Sequence, residues 1–454
     1  MHSRPISRRT FLKTGSLGFG CVLGAGGIHA FTEPVIPSSP QASNLAIRRN
    51  IAALDLKDPS VKILRDAVGI LKKRSPLDPT GWLAHVANHA TFCATNEYVN
   101  QVHYNWFLLP WHRGYLYTLE KKLREAVREP HLALHYWDWT KHPFIPAHYW
   151  GKDNPLYNGS RMVSPADIIP YDFINVGAAL RTTNFNIFGG YPHVKSAEEQ
   201  QRDGIAEQTF HNNLHNWIGG DMAGFTNSGN DMIFTGHHGN LDRVWNAWLS
   251  YHPENQNPRS NEWLEHTFYF TDEKGKPLNL KVKDLLNTRD LGYDFDNLDF
   301  NPVYCNPFSP DMCPQAAEDK TSNTIIIRPS EIQRSILRES TAKTSRASLS
   351  FDRMELPYQP YCARLFFEFQ AGEMTGAPLI TQYISTFTAL PIGKPYTGLL
   401  QRDVCLQLEI NNTAAKLIAG AKEINVRLVP VQLSGRTVPA IDLQLKSAVL
   451  NLLS

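Results

Sequence analysis

Six histidines in this chain of 454 residues fall into two sets of three, each straddling a pair of segments with helical spacing. The first set is His89, His103 and His112, with Cys93 between the first two; the second is His211, His215 and His238. Imidazoles in threes, with no carboxylate at a matching ligand position, describe sites for a borderline metal such as copper or zinc. A di-iron bundle would show Glu and Glu-x-x-His instead. Two such sets in one domain predict a binuclear centre.

Spacing assigns some of these side chains and leaves others open. His211 and His215 are four apart, so one helix face presents both to one metal. His238 has Asp242 one turn on, which makes Asp242 the expected hydrogen-bond partner of a ligating His238. His237 diverges from its neighbour by about 100° around a helix and is expected to be structural or at the substrate rim. His85, His89 and Cys93 are each four apart and share a face, so spacing alone does not choose between His85 and His89.

The elements that must hold these residues are mostly helical from about 44 to 253. Val61 to Lys73 has helical apolar spacing and stops before Pro76. Trp82 to Tyr98 and Tyr104 to Arg128 carry the first set, with a stripe of Leu116, Leu119, Leu123 and Val127. Ile205 to Ile218 and His237 to Tyr251 carry the second. The Pro-, Asn- and Gly-rich stretch from about 141 to 200 is too long for a plain connector and is expected to form loops framing the site. From about 261 the period changes: Thr267 to Phe270 and Leu278 to Val282 read as strands around the turn at Asp272 to Gly275. Residues 363–369, 404–410 and 424–433 alternate as strands do.

The fold class expected is therefore mainly α, a four-helix bundle around the dimetal site with a C-terminal β-sandwich-like domain. The expected division is a leader at 1–30, a metal-binding domain at 44–253, a small module at 254–300, an exposed linker at 301–345 and the β-domain at 346–454.

Ser7-Arg8-Arg9-Thr10-Phe11-Leu12-Lys13, followed by a Gly-rich apolar run to Ala30, reads as a twin-arginine signal. It predicts export of the folded protein to the periplasm or outside the cell, with no membrane association after removal. The formal charge of +2 and the absence of a Lys/Arg run exclude broad attraction to nucleic acid. Cys21 leaves with the leader, and an odd set remains: Cys93, Cys305, Cys313, Cys362 and Cys405. Cys93, among the histidines, is the one expected to have another use. Cys305 with Cys313, and Cys362 with Cys405, are candidate loop closures.

The metal-site segments resemble plant polyphenol oxidases (catechol oxidases) and bacterial tyrosinases, the type-3 copper family. The run from Gln101 to Tyr117, containing His103, Trp111 and His112, matches that family's copper A signature. The upstream His-x3-Cys is His89 and Cys93, with His85 where plant enzymes usually carry Gln; the resemblance thus chooses His89. His211, His215 and the run from Asp231 to Asp242 match copper B, with Met232 in place of the usual Pro. Glu262-Trp263-Leu264 and Lys283 to Tyr293 resemble the plant Asp-Trp-Leu module, while the last hundred residues resemble the family's C-terminal domain weakly.

The resemblance implies two copper ions, each held by three imidazoles, and O2 as co-substrate. The reaction implied is oxidation of o-diphenols to o-quinones, and hydroxylation of monophenols as in a tyrosinase. Cys93 is then expected to be crosslinked through sulfur to the His103 ring. Glu207 and Asn212 stand where bacterial tyrosinases hold a water that deprotonates the phenol. The C-terminal domain is expected to act as a lid, with Tyr358 or Tyr361 as its plug. The alternatives are a catechol oxidase without monophenolase activity, a haemocyanin-like O2-binding protein, or a zinc hydrolase. The partner implied is a small phenol.

Overall fold

The computed structural model describes residues 45–93, 102–193, 202–300, 323–339, 344–357, 360–370, 379–390, 399–431, 433, 443 and 445–453. The leader and Cys305 with Cys313 lie outside them. Among the described residues no helix is long and apolar enough to cross a membrane.

Helix α1, Pro59–Lys73, starts where Asp58 accepts the N–H of Ser60 and Pro59 takes the first position, and it ends on Lys72 and Lys73. Val61, Leu64, Val68 and Leu71 form its buried stripe. Helix α2, Trp82–Cys93, buries His85, His89 and Cys93 on one face. The helix expected from Tyr104 begins only at Leu108: α3 is Leu108–Val127. Tyr104 takes a left-handed φ of 62°, and the Asn105 side chain accepts the N–H of Phe107 at 2.9 Å, turning the chain before the helix starts.

Residues 141–193 run as loops with short helical turns at Gly177–Arg181 and Phe185–Gly189, as their composition predicts. The next helical stretch opens with a π turn, Glu207–His211, and continues as α4, Asn212–Ile218. Helix α5, Ile233–Tyr251, is buried over nearly its whole circumference, the pattern of a helix inside a core.

A buried ionic cage locks α3 to α5. Asp242 accepts Arg113 Nε at 2.6 Å, Arg48 Nη1 at 3.1 Å and the Tyr293 hydroxyl at 2.6 Å. Arg48 also donates to Glu120 at 3.0 Å and lies 3.5 Å over the Tyr293 ring. Arg48 ends strand β1, Ala46–Arg48. That strand runs parallel to β4, Tyr293–Phe295, while β2, Thr267–Thr271, pairs with β3, Pro277–Lys281. The expectation for Asp242 is thereby corrected. Its carboxylate is taken by two guanidinium groups and a phenol rather than by His238, because a buried carboxylate is best compensated by buried cations.

The C-terminal residues form two antiparallel sheets. Strands β5 (Asn323–Ile327), β10 (Ile424–Pro430), β7 (Tyr361–Gln370) and β8 (Leu379–Ala389) make one; β11 (Ser447–Leu453), β6 (Thr344–Pro357) and β9 (Leu399–Asn411) make the other. Residues of both, such as Phe367, Val426, Leu349 and Leu408, share one apolar core, so the fold is a helical metal-binding core with C-terminal sheets.

Three further expectations are corrected here. The linker at 301–345 contains strand β5, paired with β10, and a helix, Glu331–Glu339, which buries Leu337 in the sheet core. An edge strand of five residues and a helix anchored by one buried residue leave too little periodicity to read. Cys405 is a thiol facing Ser350 at 3.4 Å, so it closes no loop with Cys362. Tyr361 packs in the sheet core near Phe387 and is no plug over the histidines; Tyr358 lies outside the described residues.

Candidate metal centre

The structure brings both histidine sets together. His89, Cys93, His103 and His112 place their ligand atoms within 4.8 Å of one another, and so do His211, His215, His237 and His238. The two groups are neighbours. The His112 and His238 rings stack at 4.3 Å between centroids, and those of His103 and His211 lie 5.4 Å apart. All are buried. His85 is outside the first group: its ring stacks on Tyr115 at 3.8 Å.

Ring orientation follows from what the second nitrogen does. The Nδ1 of His89 reaches the carbonyl of Phe225 at 2.8 Å, that of His112 the carbonyl of Leu108 at 2.8 Å, and that of His215 the carbonyl of Met222 at 2.7 Å. A carbonyl only accepts, so each Nδ1 carries the proton and each Nε2 keeps its lone pair. His211 Nδ1 faces the amide oxygen of Asn212 at 2.8 Å in the same sense. The Nε2 atoms of His89, His112 and His211 are buried without a hydrogen-bond partner. Those of His215 and His238 lie 3.0 Å apart, close to the separation of two nitrogens bound about 2.0 Å from one tetrahedral ion. Converging imidazole nitrogens are what a bound metal requires, so the residues present fit two ions.

Burial keeps these imidazoles neutral. It lowers His89 to about 3 and His215 to about 4, and pushes His103, His112, His211 and His238 well below the ordinary value. Burial, with the nearby Glu207 charge, raises the Cys93 thiol well above its usual range.

Glu207 bridges the groups, its carboxylate within 4.8 Å of ligand atoms on both His103 and His211. It accepts the N–H of Tyr104 through both oxygens, at 2.9 and 2.8 Å. The π turn places it there; such turns recur at functional sites. Asn212, expected beside Glu207 as a water holder, orients His211 and reaches the carbonyl of Thr388 in β8 at 3.4 Å.

His237 departs from one of its two expected places. It lies within the second group rather than at a rim, its ring centroid 5.1 Å from that of His238. The site also depends on residues that spacing did not single out. Phe225 stacks on His103 at 4.2 Å while its carbonyl orients His89. Phe234 stacks on His238 at 3.9 Å. Phe234 is four residues before His238, a signal that could have found it; a backbone carbonyl leaves none.

Comparison with known proteins agrees with this geometry. Residues 79–185 and 172–251 match the model of the common central domain of tyrosinase, and 257–307 that of the polyphenol oxidase middle domain. A chloroplastic polyphenol oxidase of Malus domestica is 28% identical over 299 residues, 57% of this chain and 50% of that protein. A chloroplastic (+)-larreatricin hydroxylase of Larrea tridentata is 29% identical over 310 residues, 60% and 52% of the two chains. The matches thus span about half the length of these relatives. The structure of latent apple tyrosinase superimposes with a TM-score of 0.66 at 21% identity, covering 87% of this chain and 95% of that one.

The relatives overturn one expectation. These and further plant relatives from Vitis vinifera and Solanum lycopersicum are chloroplastic, which contradicts the expected twin-arginine export into a periplasm or medium. An arginine pair before an apolar run is a short signal that a leader with another destination can carry. With two histidine groups fit for a binuclear copper centre and both domain models matched in order, residues 79–251 form a tyrosinase central domain and 257–307 a polyphenol oxidase middle domain.

Proposed function

We propose that this protein uses O2 to oxidise o-diphenols to o-quinones and also hydroxylates monophenols. His89, His103 and His112 would hold one copper, and His211, His215 and His238 the other. The bound pair supplies the redox chemistry by which O2 accepts electrons from the phenol.

The observation that carries the monophenol reading is Glu207, a buried carboxylate within reach of both histidine groups. A phenol titrates near 10 in water, so hydroxylation needs a base beside the metals. The two Glu207 oxygens accept the Tyr104 N–H, and a carboxylate has about four acceptor sites in all, so it can also take that proton. Asn212 holds the His211 ring in its ligating orientation, and Phe225 and Phe234 flank the imidazoles with apolar surface that excludes water. Glu207→Gln keeps the shape and removes the base. Monophenol hydroxylation is expected to fall by about 100-fold, with catechol oxidation changed less than about threefold. Equal loss of both activities would make Glu207 structural. A native protein active on catechol alone would be a catechol oxidase, and one that binds O2 without turnover a carrier.

Cys93 is proposed to be joined through sulfur to the His103 ring, with O2 as the two-electron oxidant, which would pin that ligand; the Cys93 sulfur lies within 4.8 Å of a His103 ring nitrogen. Peptide mass spectrometry of the copper-loaded protein is expected to find the two segments linked and lighter by two hydrogens. Quantitative alkylation of Cys93 in active protein would reject the link.

A further inference from the structure

We propose that Tyr104 is a positioning residue through which the C-terminal sheet sets the place of the Glu207 carboxylate. Among the described residues two non-glycine positions have a positive φ, Tyr104 at 62° and Arg128 at 56°. Arg128 caps the end of α3, where that conformation is common. Tyr104 ends no helix, and a bulky residue is disfavoured there by its own Cβ. Something outside the residue therefore holds it.

Three contacts do so. The Tyr104 N–H donates to both oxygens of Glu207, at 2.9 and 2.8 Å. Its hydroxyl donates to the carbonyl of Leu390 at 2.8 Å. Its ring meets the edge of Phe225 at 6.2 Å between centroids, and Phe225 stacks on His103. Leu390 directly follows β8. In that strand the Thr388 hydroxyl donates to Asn213 at 2.7 Å, and the Thr388 carbonyl receives Asn212.

The left-handed turn explains why one residue can do this. Rotation about N–Cα sets the angle between the N–H and the side chain. The usual right-handed values bring the two toward the same side, whereas a positive φ swings them apart. Tyr104 thus reaches the carboxylate with its backbone and the sheet with its side chain. It also lines a small crevice between the helical core and the sheets, together with Gln208, Phe387, Thr388 and Cys405. A shift of the β8 end would reach the Glu207 carboxylate through the Tyr104 side chain, alongside the bonds of Thr388 to Asn212 and Asn213.

The inference rests on the reading of Glu207 as proton acceptor, and its test separates the two. Tyr104→Phe keeps the ring and the N–H and removes the bond to Leu390. It is made in the full copper-loaded chain, with Glu207→Gln measured alongside. Copper content and catechol turnover are expected to stay within about twofold, and monophenol kcat to fall about tenfold at unchanged KM, the scale of one lost buried hydrogen bond. Amide hydrogen exchange is expected to rise at both 386–390 and 207–212. An unchanged monophenol-to-catechol ratio, or faster exchange at 386–390 alone, overturns the proposal. If Glu207→Gln keeps the native ratio, the proton-acceptor reading fails by itself. Exchange at 207–212 then decides the link, and no rise there rejects it.

Discussion

Alanine at any one of His89, His103, His112, His211, His215 or His238 is expected to leave the protein with fewer than two bound coppers and catechol oxidation at background. His85→Gln is expected to keep both metals and turnover within about threefold of native. The physical ground is the division of labour on each ring. Where Nδ1 is tied to a carbonyl of Phe225, Leu108 or Met222, Nε2 keeps the lone pair that can bind a metal, and no neighbour can replace a nitrogen fixed in that way. His85 instead stacks on Tyr115, a contact a Gln side chain can fill. His237 is the sharper case, because it lies in the same group as His238. His238 has its Nε2 3.0 Å from that of His215 and its ring stacked on both Phe234 and His112. His237→Ala should therefore retain two coppers where His238→Ala does not. Metal analysis with a catechol assay checks the set; a His89→Ala protein with two coppers and native turnover would sink the assignment.

Asp242→Ala is expected to destabilise the protein by about 3–5 kcal/mol, the cost of leaving buried charges without their partner. Arg48 and Arg113 are both fully buried, and removing the carboxylate strands them together. A fall in melting temperature on the order of 10 °C follows for a domain of this size. Copper retention should weaken as well, since Arg113 follows His112 and Asp242 stands one turn beyond His238 on α5. Thermal denaturation of metal-free Asp242→Ala and Asp242→Asn measures the first effect. A loss under about 1 kcal/mol in the Ala variant would show that water or a neighbouring acid reaches the two guanidinium groups.

Much of the centre was legible along the chain. Metal ligands on a helix obey a period, so His211 and His215 declared a shared face, and the stripe of Leu116, Leu119 and Leu123 declared α3. Strands β2, β3, β7 and β9 alternate clearly enough to be found near their true positions. Elements with one anchoring residue, such as Glu331–Glu339, did not announce themselves.

The sequence by itself determined the chemistry: imidazoles in two sets of three, without carboxylate ligands, which suit a borderline metal such as copper or zinc. It determined the helical core that carries them, because both depend on residue type and local period. Spacing left the choices between neighbours open; the family resemblance chose His89, and tertiary structure showed where each side chain turns. His89 faces the cluster and His85 faces Tyr115. His237 joins the second group, and Asp242 turns to Arg48 and Arg113 rather than to His238. It also decided that Tyr104 is left-handed, held between Glu207 and Leu390, residues 103 and 286 positions away. The physical reason is one throughout. A period tells which side of an element a residue occupies, but the partner on that side is brought by the fold from a distant part of the chain. A buried polar atom is oriented by that partner alone.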